Sequence, residues 1–142
     1  MSKDQLIAAL NRQLAAEYQA VIQYLHYSAV VTGPYRPELV TFFQAEVADE
    51  TIHAQYLAGK VAALGGDPTT DPKAVPHSTD PRKLLQYVLS AEEEAVKAYA
   101  EIIKLADEVG EYGVRIQAEN FLQEEATHSD ETRKLLAGHW GS

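Results

Sequence analysis

Two Glu-x-x-His tetrads are the parts of this sequence in which residue type and spacing indicate chemistry. They are Glu50-Thr-Ile-His53 and Glu125-Ala-Thr-His128. Residues three positions apart share a face of a helix, so the carboxylate and the imidazole of one tetrad can bind the same metal ion. Each tetrad alone is a weak signal, because acidic residues are common in a chain that contains 21 of them.

An internal repeat strengthens the metal-binding interpretation. Glu17 lies 33 residues before Glu50, and Glu92 lies 33 residues before Glu125. The two halves of the pattern therefore superimpose at an offset of 75 residues, which also pairs apolar positions along the chain. We predict two helical hairpins of one design, each with two glutamates and one histidine.

The register of the predicted helices directs these six side chains toward an apolar interior. Glu92 shares the apolar seam of its helix, whereas Glu93 and Glu94 point away from it. In the last helix one seam contains Phe121, Glu125, His128 and Leu135. The sequence therefore places four carboxylates and two imidazoles inside the protein.

Such a cluster of charges requires compensation. Burying one carboxylate without a partner costs several kcal/mol, and four together also repel one another. Two divalent cations would neutralise them, and oxygen ligands with one neutral imidazole per metal favour iron or manganese. The alternative interpretation is a hydrogen-bonded or partly protonated polar layer that binds no metal.

Four long periodic segments must position these residues, and helices are predicted over about 3–31, 38–64, 80–109 and 114–136. Short turns join the first helix to the second and the third to the fourth, so each pair must be antiparallel. The proline-rich segment 66–79 is long enough to cross from one end of a bundle to the other. We predict an all-α antiparallel four-helix bundle with one long crossover between helices 2 and 3. It forms a single domain over 1–142, with hairpins of about 3–64 and 80–137.

Composition narrows the classes of protein and of partner. The 142-residue chain has a formal net charge of −9, which disfavours nucleic acid and anionic membranes as partners and favours cations. It contains no cysteine, so thiol catalysis, thiolate zinc sites and cysteine-ligated iron–sulfur centres are excluded. The N-terminus lacks an apolar secretory core, and no apolar run approaches the ~20 residues of a membrane helix. We expect a soluble, cytoplasmic protein.

Because it contains these motifs, the chain resembles the ferritin-like di-iron family and, within it, the bacterioferritins. The resemblance runs from Leu14-Ala-Ala-Glu17-Tyr-Gln-Ala-Val-Ile-Gln-Tyr24 through Glu46-Val-Ala-Asp-Glu50-Thr-Ile-His53 to Gln123-Glu-Glu125-Ala-Thr-His128. It implies two iron ions bridged by Glu50 and Glu125. Glu17 and His53 would complete one iron site, and Glu92 and His128 the other.

The resemblance also implies an activity, namely the oxidation of Fe(II) to Fe(III) with dioxygen or hydrogen peroxide for iron storage, detoxification and protection from oxidative stress. Haem is not expected, because Thr51 stands where bacterioferritins have their haem-ligating methionine and Met1 is the only methionine. The sequence ends soon after the fourth helix, without the short fifth helix of 24-subunit shells. We expect a homo-oligomer, either a dimer or a larger shell.

Tyr24 is a further candidate site residue, because it lies two turns beyond Glu17 on the same seam. By the resemblance it could hold a ligand by a hydrogen bond or supply an electron; core packing is the alternative. In an antiparallel hairpin Tyr24 comes roughly level with Glu46, so Glu46 could accept its proton. Glu46 could also be an iron relay or a half-exposed helix charge. The remaining histidines, His26, His77 and His139, lack a glutamate three residues earlier and are interpreted as structural or surface residues.

Other functions remain open at this point. A rubrerythrin-like peroxidase, a manganese catalase or a di-iron oxygenase could use the same ligand spacing. A DNA-protecting shell subunit is disfavoured by the net charge and by the lack of a basic N-terminal arm. A metal-free helical interaction module is the third class.

Overall fold

The computed structural model describes residues 2–138 and 140 and confirms the predicted four-helix architecture. The helices are α1 (Lys3–Val30), α2 (Arg36–Ala63), α3 (Pro81–Val109) and α4 (Tyr112–Leu136), and the described part of the chain contains no strand. Both α2 and α4 begin two residues earlier than predicted. Pro37 lies in the first turn of α2, where its missing N–H costs no hydrogen bond, and Gly113 continues α4 without a positive φ.

The crossover runs alongside α1 from its first turns to its C-terminus. The Asn11 side chain bonds the backbone of Asp67 and Thr69 at 2.9 Å each, and the Tyr27 hydroxyl donates to the carbonyl of Pro76 at 2.6 Å. At the end of α1, the Thr32 amide donates to the carbonyl of Thr79 at 3.2 Å. Because the crossover returns the chain to the end at which α2 began, α3 runs parallel to α2.

Local chemistry at the helix ends agrees with the sequence at most positions. Ser2 and Gln5 form the predicted capping box at the N-terminus of α1. The guanidinium of Arg36 donates to the carbonyl of Val31 at 2.7 Å and so satisfies an acceptor at the other end of α1. Gly110 ends α3 in the left-handed conformation with φ of 81°. Asp80 is the N-cap residue of α3, but its side chain makes no cap hydrogen bond.

The apolar core consists of two clusters, one on each side of a polar layer. The larger cluster includes Leu10, Leu57 and Ile102, and the smaller one includes Phe43 and Leu85. The predicted glutamates and histidines lie between the two clusters. One seam assignment was wrong: Leu135 is 36% exposed, and Thr132, one turn before Leu136, is the fully buried residue instead.

None of the helices in the described residues is both long enough and apolar enough to cross a lipid bilayer.

Candidate metal centre

The polar layer in the middle of the bundle contains all six residues that the tetrads and their repeat singled out. The four glutamates and His53 are buried, each with no more than 3% of its surface exposed, whereas the His128 side chain is 15% exposed. Each helix contributes at least one of them, because one seam of every helix faces the bundle axis. The six residues are Glu17 from α1, Glu50 and His53 from α2, Glu92 from α3, and Glu125 and His128 from α4.

The first half of the layer is closely assembled around His53. Its Nδ1 lies 3.1 Å from Glu17 Oε2, 3.3 Å from Glu125 Oε1 and 3.8 Å from Glu50 Oε2. One ligand atom from each of these four residues lies within 4.8 Å of the other three. Three carboxylates and one imidazole at this separation form a donor set that suits a single divalent cation.

The orientation of the His53 ring is fixed from outside the layer. Its Nε2 lies 2.6 Å from Glu124 Oε2, and the Phe121 ring stacks on it with 4.0 Å between the ring centroids. A carboxylate on the far nitrogen orients the ring and would keep the Nε2 proton in place when Nδ1 binds a metal ion. Glu124 is not among the predicted site residues, although its position beside Glu125 repeats that of Asp49 beside Glu50 at the same 75-residue offset.

The second half of the layer is not assembled in the same way. The Glu92 oxygens accept hydrogen bonds from the hydroxyls of Tyr24 and Thr132, at 2.8 Å each. His128 Nε2 lies 3.0 Å from Glu46 Oε2 and 3.8 Å from Asp49 Oδ2, and these three residues form a second close group of donors. The structure therefore buries Glu92 and His128 in the same layer without bringing them into contact.

Tyr24 is part of this half of the layer, but its partner is not the expected one. The Tyr24 hydroxyl donates to Glu92 on α3, whereas Glu46 on α2 contacts His128. The expectation that Glu46 accepts the tyrosine proton is therefore wrong. Sequence spacing put Glu46 level with the ring, but the packing of α1 against α3 brings Glu92 to the hydroxyl instead.

Burial raises the pKa of several carboxyls in the layer. The pKa of Glu50 lies well above 4.5 because of burial and because of the charges of Glu17 and Glu125. Burial also raises the pKa of Glu92 to about 8, although the hydrogen bonds from Thr132 and Tyr24 lower it in part. Without a metal ion, the layer therefore keeps protons on some of its carboxyls at neutral pH.

His53 carries the compensating positive charge. Burial lowers the pKa of His53, but hydrogen bonds to Glu125, Glu17 and Glu124 outweigh it and raise the pKa to about 10. The ring is therefore an imidazolium at neutral pH, with a proton on Nδ1 among the carboxylates. In this state a proton occupies the position that suits a divalent cation.

Two buried polar atoms show that the layer fits a further cation. Glu50 Oε1 and His128 Nδ1 lie 3.8 Å apart, and neither has a hydrogen-bond partner in the part of the chain that the structure describes. Two ligands of one first-row metal, each at about 2.1 Å, lie no more than about 4.2 Å apart. The pair therefore fits a shared metal ion, to which Glu92 could add a carboxylate.

His26 and His77 lie outside the layer, as expected. His26 Nε2 lies 3.2 Å from His77 Nδ1, which links α1 to the crossover near the protein surface. His139 lies outside the described residues.

Comparisons with known proteins agree with this geometry. The ferritin-like domain model matches residues 7–138. A bacterioferritin from Desulfovibrio desulfuricans is 27% identical over 128 residues, which are 89% of this chain and 71% of that protein.

Superposition on solved structures supports the same fold. A ferritin-like di-iron-carboxylate protein from Bacillus anthracis superimposes with a TM-score of 0.93 and 39% identity, over 96% of this chain and 99% of that one. A dodecameric thioferritin from Bacteroides fragilis, described as bacterioferritin-related, superimposes with a TM-score of 0.87 and 29% identity, over 96% and 86% of the two chains. With a matched family model over most of its length and a carboxylate–histidine layer inside a four-helix bundle, this chain belongs to the ferritin-like family as a bacterioferritin homologue.

Proposed function

We propose that this protein is a ferroxidase, which oxidises Fe(II) to Fe(III) with dioxygen or hydrogen peroxide for iron storage, detoxification and protection from oxidative stress. The observation that carries the proposal is the polar layer, which contains four buried glutamates and two imidazoles between the two apolar clusters of the bundle. Crowded carboxylates of this kind gain free energy when they bind cations, because the cations replace protons that the burial has forced on them.

The proposed ligands follow the two halves of the layer. Glu50 and Glu125 would hold both iron ions, Glu17 and His53 would complete the first site, and Glu92 and His128 would complete the second. The closely grouped donors around His53 support the first site. The unpaired atoms of Glu50 and His128 support the second, for which Glu92 must exchange its bonds to Tyr24 and Thr132 for a metal ion. Manganese suits the same donors.

Two bound irons supply two electrons, which with two protons reduce hydrogen peroxide to two waters, or dioxygen to hydrogen peroxide. The role of the protein chain is to exclude bulk water and to hold the ligands in place. Glu124 keeps the His53 ring in one orientation. The pKa of Tyr24 is raised well above 10 by burial and by the charge of Glu92, so the hydroxyl keeps its proton and acts as a hydrogen-bond donor to Glu92.

The direct test compares a buried and an exposed glutamate. Glu50→Ala removes a proposed bridging ligand, whereas Glu93→Ala removes a carboxylate that is about half exposed and bonded to Arg133. We expect the wild type to bind two Fe(II) per chain without oxygen and to form Fe(III) once oxygen is admitted. Glu50→Ala should lower the oxidation rate by about 100-fold or more, because changes to groups that only support a ligand already cost 10–100-fold. Glu93→Ala should match the wild type, and equal losses in the two variants would contradict the proposal.

The same samples separate the competing redox functions. Decomposition of hydrogen peroxide by the manganese-loaded protein, without oxidation of Fe(II) by the iron-loaded protein, would replace ferroxidase by catalase. A DNA-protecting role has weaker support. A DPS protein from Vibrio cholerae shares the fold, with a TM-score of 0.88, but only 20% of the sequence. The net charge of −9 also disfavours DNA binding.

We also propose that the protein assembles as a homo-oligomer. The related thioferritin is dodecameric. On this chain Ile22 and Leu25 of α1 and Ile52 of α2 are 44–59% exposed, and an apolar cavity of about 580 Å³ lies between the same two helices. Light scattering of the purified protein gives the subunit number, and a monomer at micromolar concentration would contradict this part of the proposal.

A further inference from the structure

A cleft between α1 and α3 connects the protein surface with the polar layer. Its volume is about 210 Å³, and its lining includes all four buried glutamates at the inner end. Among these, Glu50 Oε1 is buried and accepts no hydrogen bond within the described residues. The cleft therefore leads from the surface to the glutamates of the proposed iron centre.

Small side chains keep the cleft open. Its walls contain Ala16 and Ala20 from α1 and Ala91, Ala95 and Ala98 from α3. Ala16 and Ala91, like Ala20 and Ala95, are equivalent in the internal repeat, so both hairpins contribute alanines to the cleft. A volume of about 210 Å³ holds several molecules the size of water, which takes up about 30 Å³ in the liquid. Dioxygen and hydrogen peroxide are of this size class.

The outer end of the cleft carries charges that are already paired. Arg12 lies 3.6 Å from Glu101, and Lys73 of the crossover lies 3.7 Å from Glu94. Each cation is matched by one anion, so the mouth has no excess negative charge to concentrate Fe(II). A neutral molecule meets no electrostatic barrier there.

The α2 and α4 side of the layer has the opposite character. Glu46, Asp49 and Glu124 surround the outer nitrogens of the two imidazoles, and Asp49 and Glu124 are each about half exposed. None of the three forms an ion pair with a lysine or an arginine among the residues that the structure describes. This acidic side attracts divalent cations, because its charges are compensated by histidines alone.

We propose that the cleft between α1 and α3 is the entrance for the small uncharged oxidant, dioxygen or hydrogen peroxide, and that Fe(II) approaches from the acidic side formed by α2 and α4. This inference rests on the proposed ferroxidase function. The separation lets the oxidant reach the bridging carboxylates without crossing the path of the metal ion.

The test narrows the cleft without touching a ligand. Ala98→Leu fills it from α3 and Ala16→Leu fills it from α1. The matched controls are Ala100→Leu and Ala8→Leu, which add the same side chain at exposed positions of the same helices. The rate of Co²⁺ association is measured from the absorption of the bound ion, because oxygen does not oxidise Co²⁺ under these conditions. The Fe(II)-loaded protein is then mixed with oxygen or peroxide to measure the oxidation rate.

We expect each cleft variant to slow the reaction with both oxidants by about tenfold, which corresponds to about 1.4 kcal/mol in the barrier. Co²⁺ association should stay within about twofold of the wild type, and the controls should change neither rate. Asp49→Asn should slow Co²⁺ association.

Three results would overturn the proposal. Slower Co²⁺ association in the cleft variants would make the cleft the path of the cation, and unchanged rates in both folded variants would leave the oxidant another path. If the wild type bound neither Co²⁺ nor Fe(II), the ferroxidase proposal would fail together with this one. The wild-type titration therefore separates failure of the function from failure of the entrance. If one leucine variant does not fold, the variant on the other helix decides.

Discussion

Metal binding should release protons, and the structure indicates how many. His53 has a pKa of about 10, so at pH 7 essentially every ring must give up its Nδ1 proton to bind a metal ion. Glu92 has a pKa of about 8 and releases about 0.9 of a proton at pH 7. Glu50, whose pKa is also raised, adds up to one more. Loading both sites with divalent cations should therefore release two to three protons per chain.

This number separates the assembled layer from an ordinary set of side chains. A histidine with the usual pKa of 6.5 would release only about 0.2 of a proton at pH 7, and exposed glutamates would release almost none. The linked effect on affinity has a definite sign, because each proton displaced makes binding about tenfold tighter per unit rise in pH. Between pH 6 and 7 the overall affinity should therefore increase by about 100-fold or more.

Titration calorimetry with Co²⁺ measures the release directly. The apparent enthalpy of binding is recorded in two buffers that differ in ionisation enthalpy, and the slope gives the number of protons. Glu93→Gln, which changes an exposed carboxylate, should leave that number unaltered, whereas Glu92→Gln should lower it by about one. A release of less than about half a proton at pH 7 would mean that His53 is neutral before the metal arrives, and the electrostatic description of the layer would be wrong.

Further predictions concern the stability of the metal-free protein, measured by urea unfolding. In the folded protein the pKa of Glu92 is raised from 4.5 to about 8. Its contribution to the free energy of unfolding is therefore complete below pH 4.5 and is lost as the pH rises through 8, by about 1.4 kcal/mol per pH unit between these two values. Glu92→Gln should remove this pH dependence of the free energy of unfolding. Thr132→Val removes a 2.8 Å hydrogen bond to Glu92 and should cost about 1–2 kcal/mol, whereas Thr127→Val at an exposed position of the same helix should cost less than about 0.5 kcal/mol. Gly66→Ala would place a Cβ 2.6 Å from an Ile7 methyl and should destabilise the fold by about 1–3 kcal/mol, while Gly59→Ala meets no atom within 4 Å and should stabilise α2 by about 0.5–1 kcal/mol.

The helices could be predicted from the sequence because their apolar period is regular and their ends carry local signals. The capping pattern of Ser2 and Gln5 fixed one terminus, and Gly110 fixed another. The starts of α2 and α4, each predicted two residues too late, have a common explanation. Pro37 and Gly113 each stand just before a predicted helix start, but both are tolerated in a first turn, where no intrahelical donor or strained φ is needed.

Burial of the site residues was also predictable, whereas their contacts were not. Periodicity assigns a face to each residue, so the burial of Glu92 follows from its position between apolar neighbours on α3. Its two hydrogen-bond partners, Tyr24 and Thr132, come from helices 68 and 40 positions away in sequence. Contacts between polar groups on facing seams depend on the packing of the helices and on side-chain rotamers. The spacing of residues along one helix gives no information about either.

The departures from the internal repeat explain why the two halves of the layer differ. Phe121 stacks on His53, but the equivalent position on α2 is Glu46, which contacts His128 instead. Thr132, which holds Glu92 by a hydrogen bond, has a leucine at its equivalent position on α2. One imidazole is thus shielded by an aromatic ring and the other is held by a carboxylate on the acidic side.

This asymmetry has a functional consequence for the proposed centre. The half around His53 already has its donors together and needs only to exchange protons for a metal ion. The half around His128 must also break the bonds of Glu92 to two hydroxyls and the contact of His128 with Glu46. Each of these contacts stabilises the metal-free state and therefore weakens metal binding in that half. Two identical halves would hold their donors alike, so these differences between the hairpins predict unequal affinities for the two proposed ions.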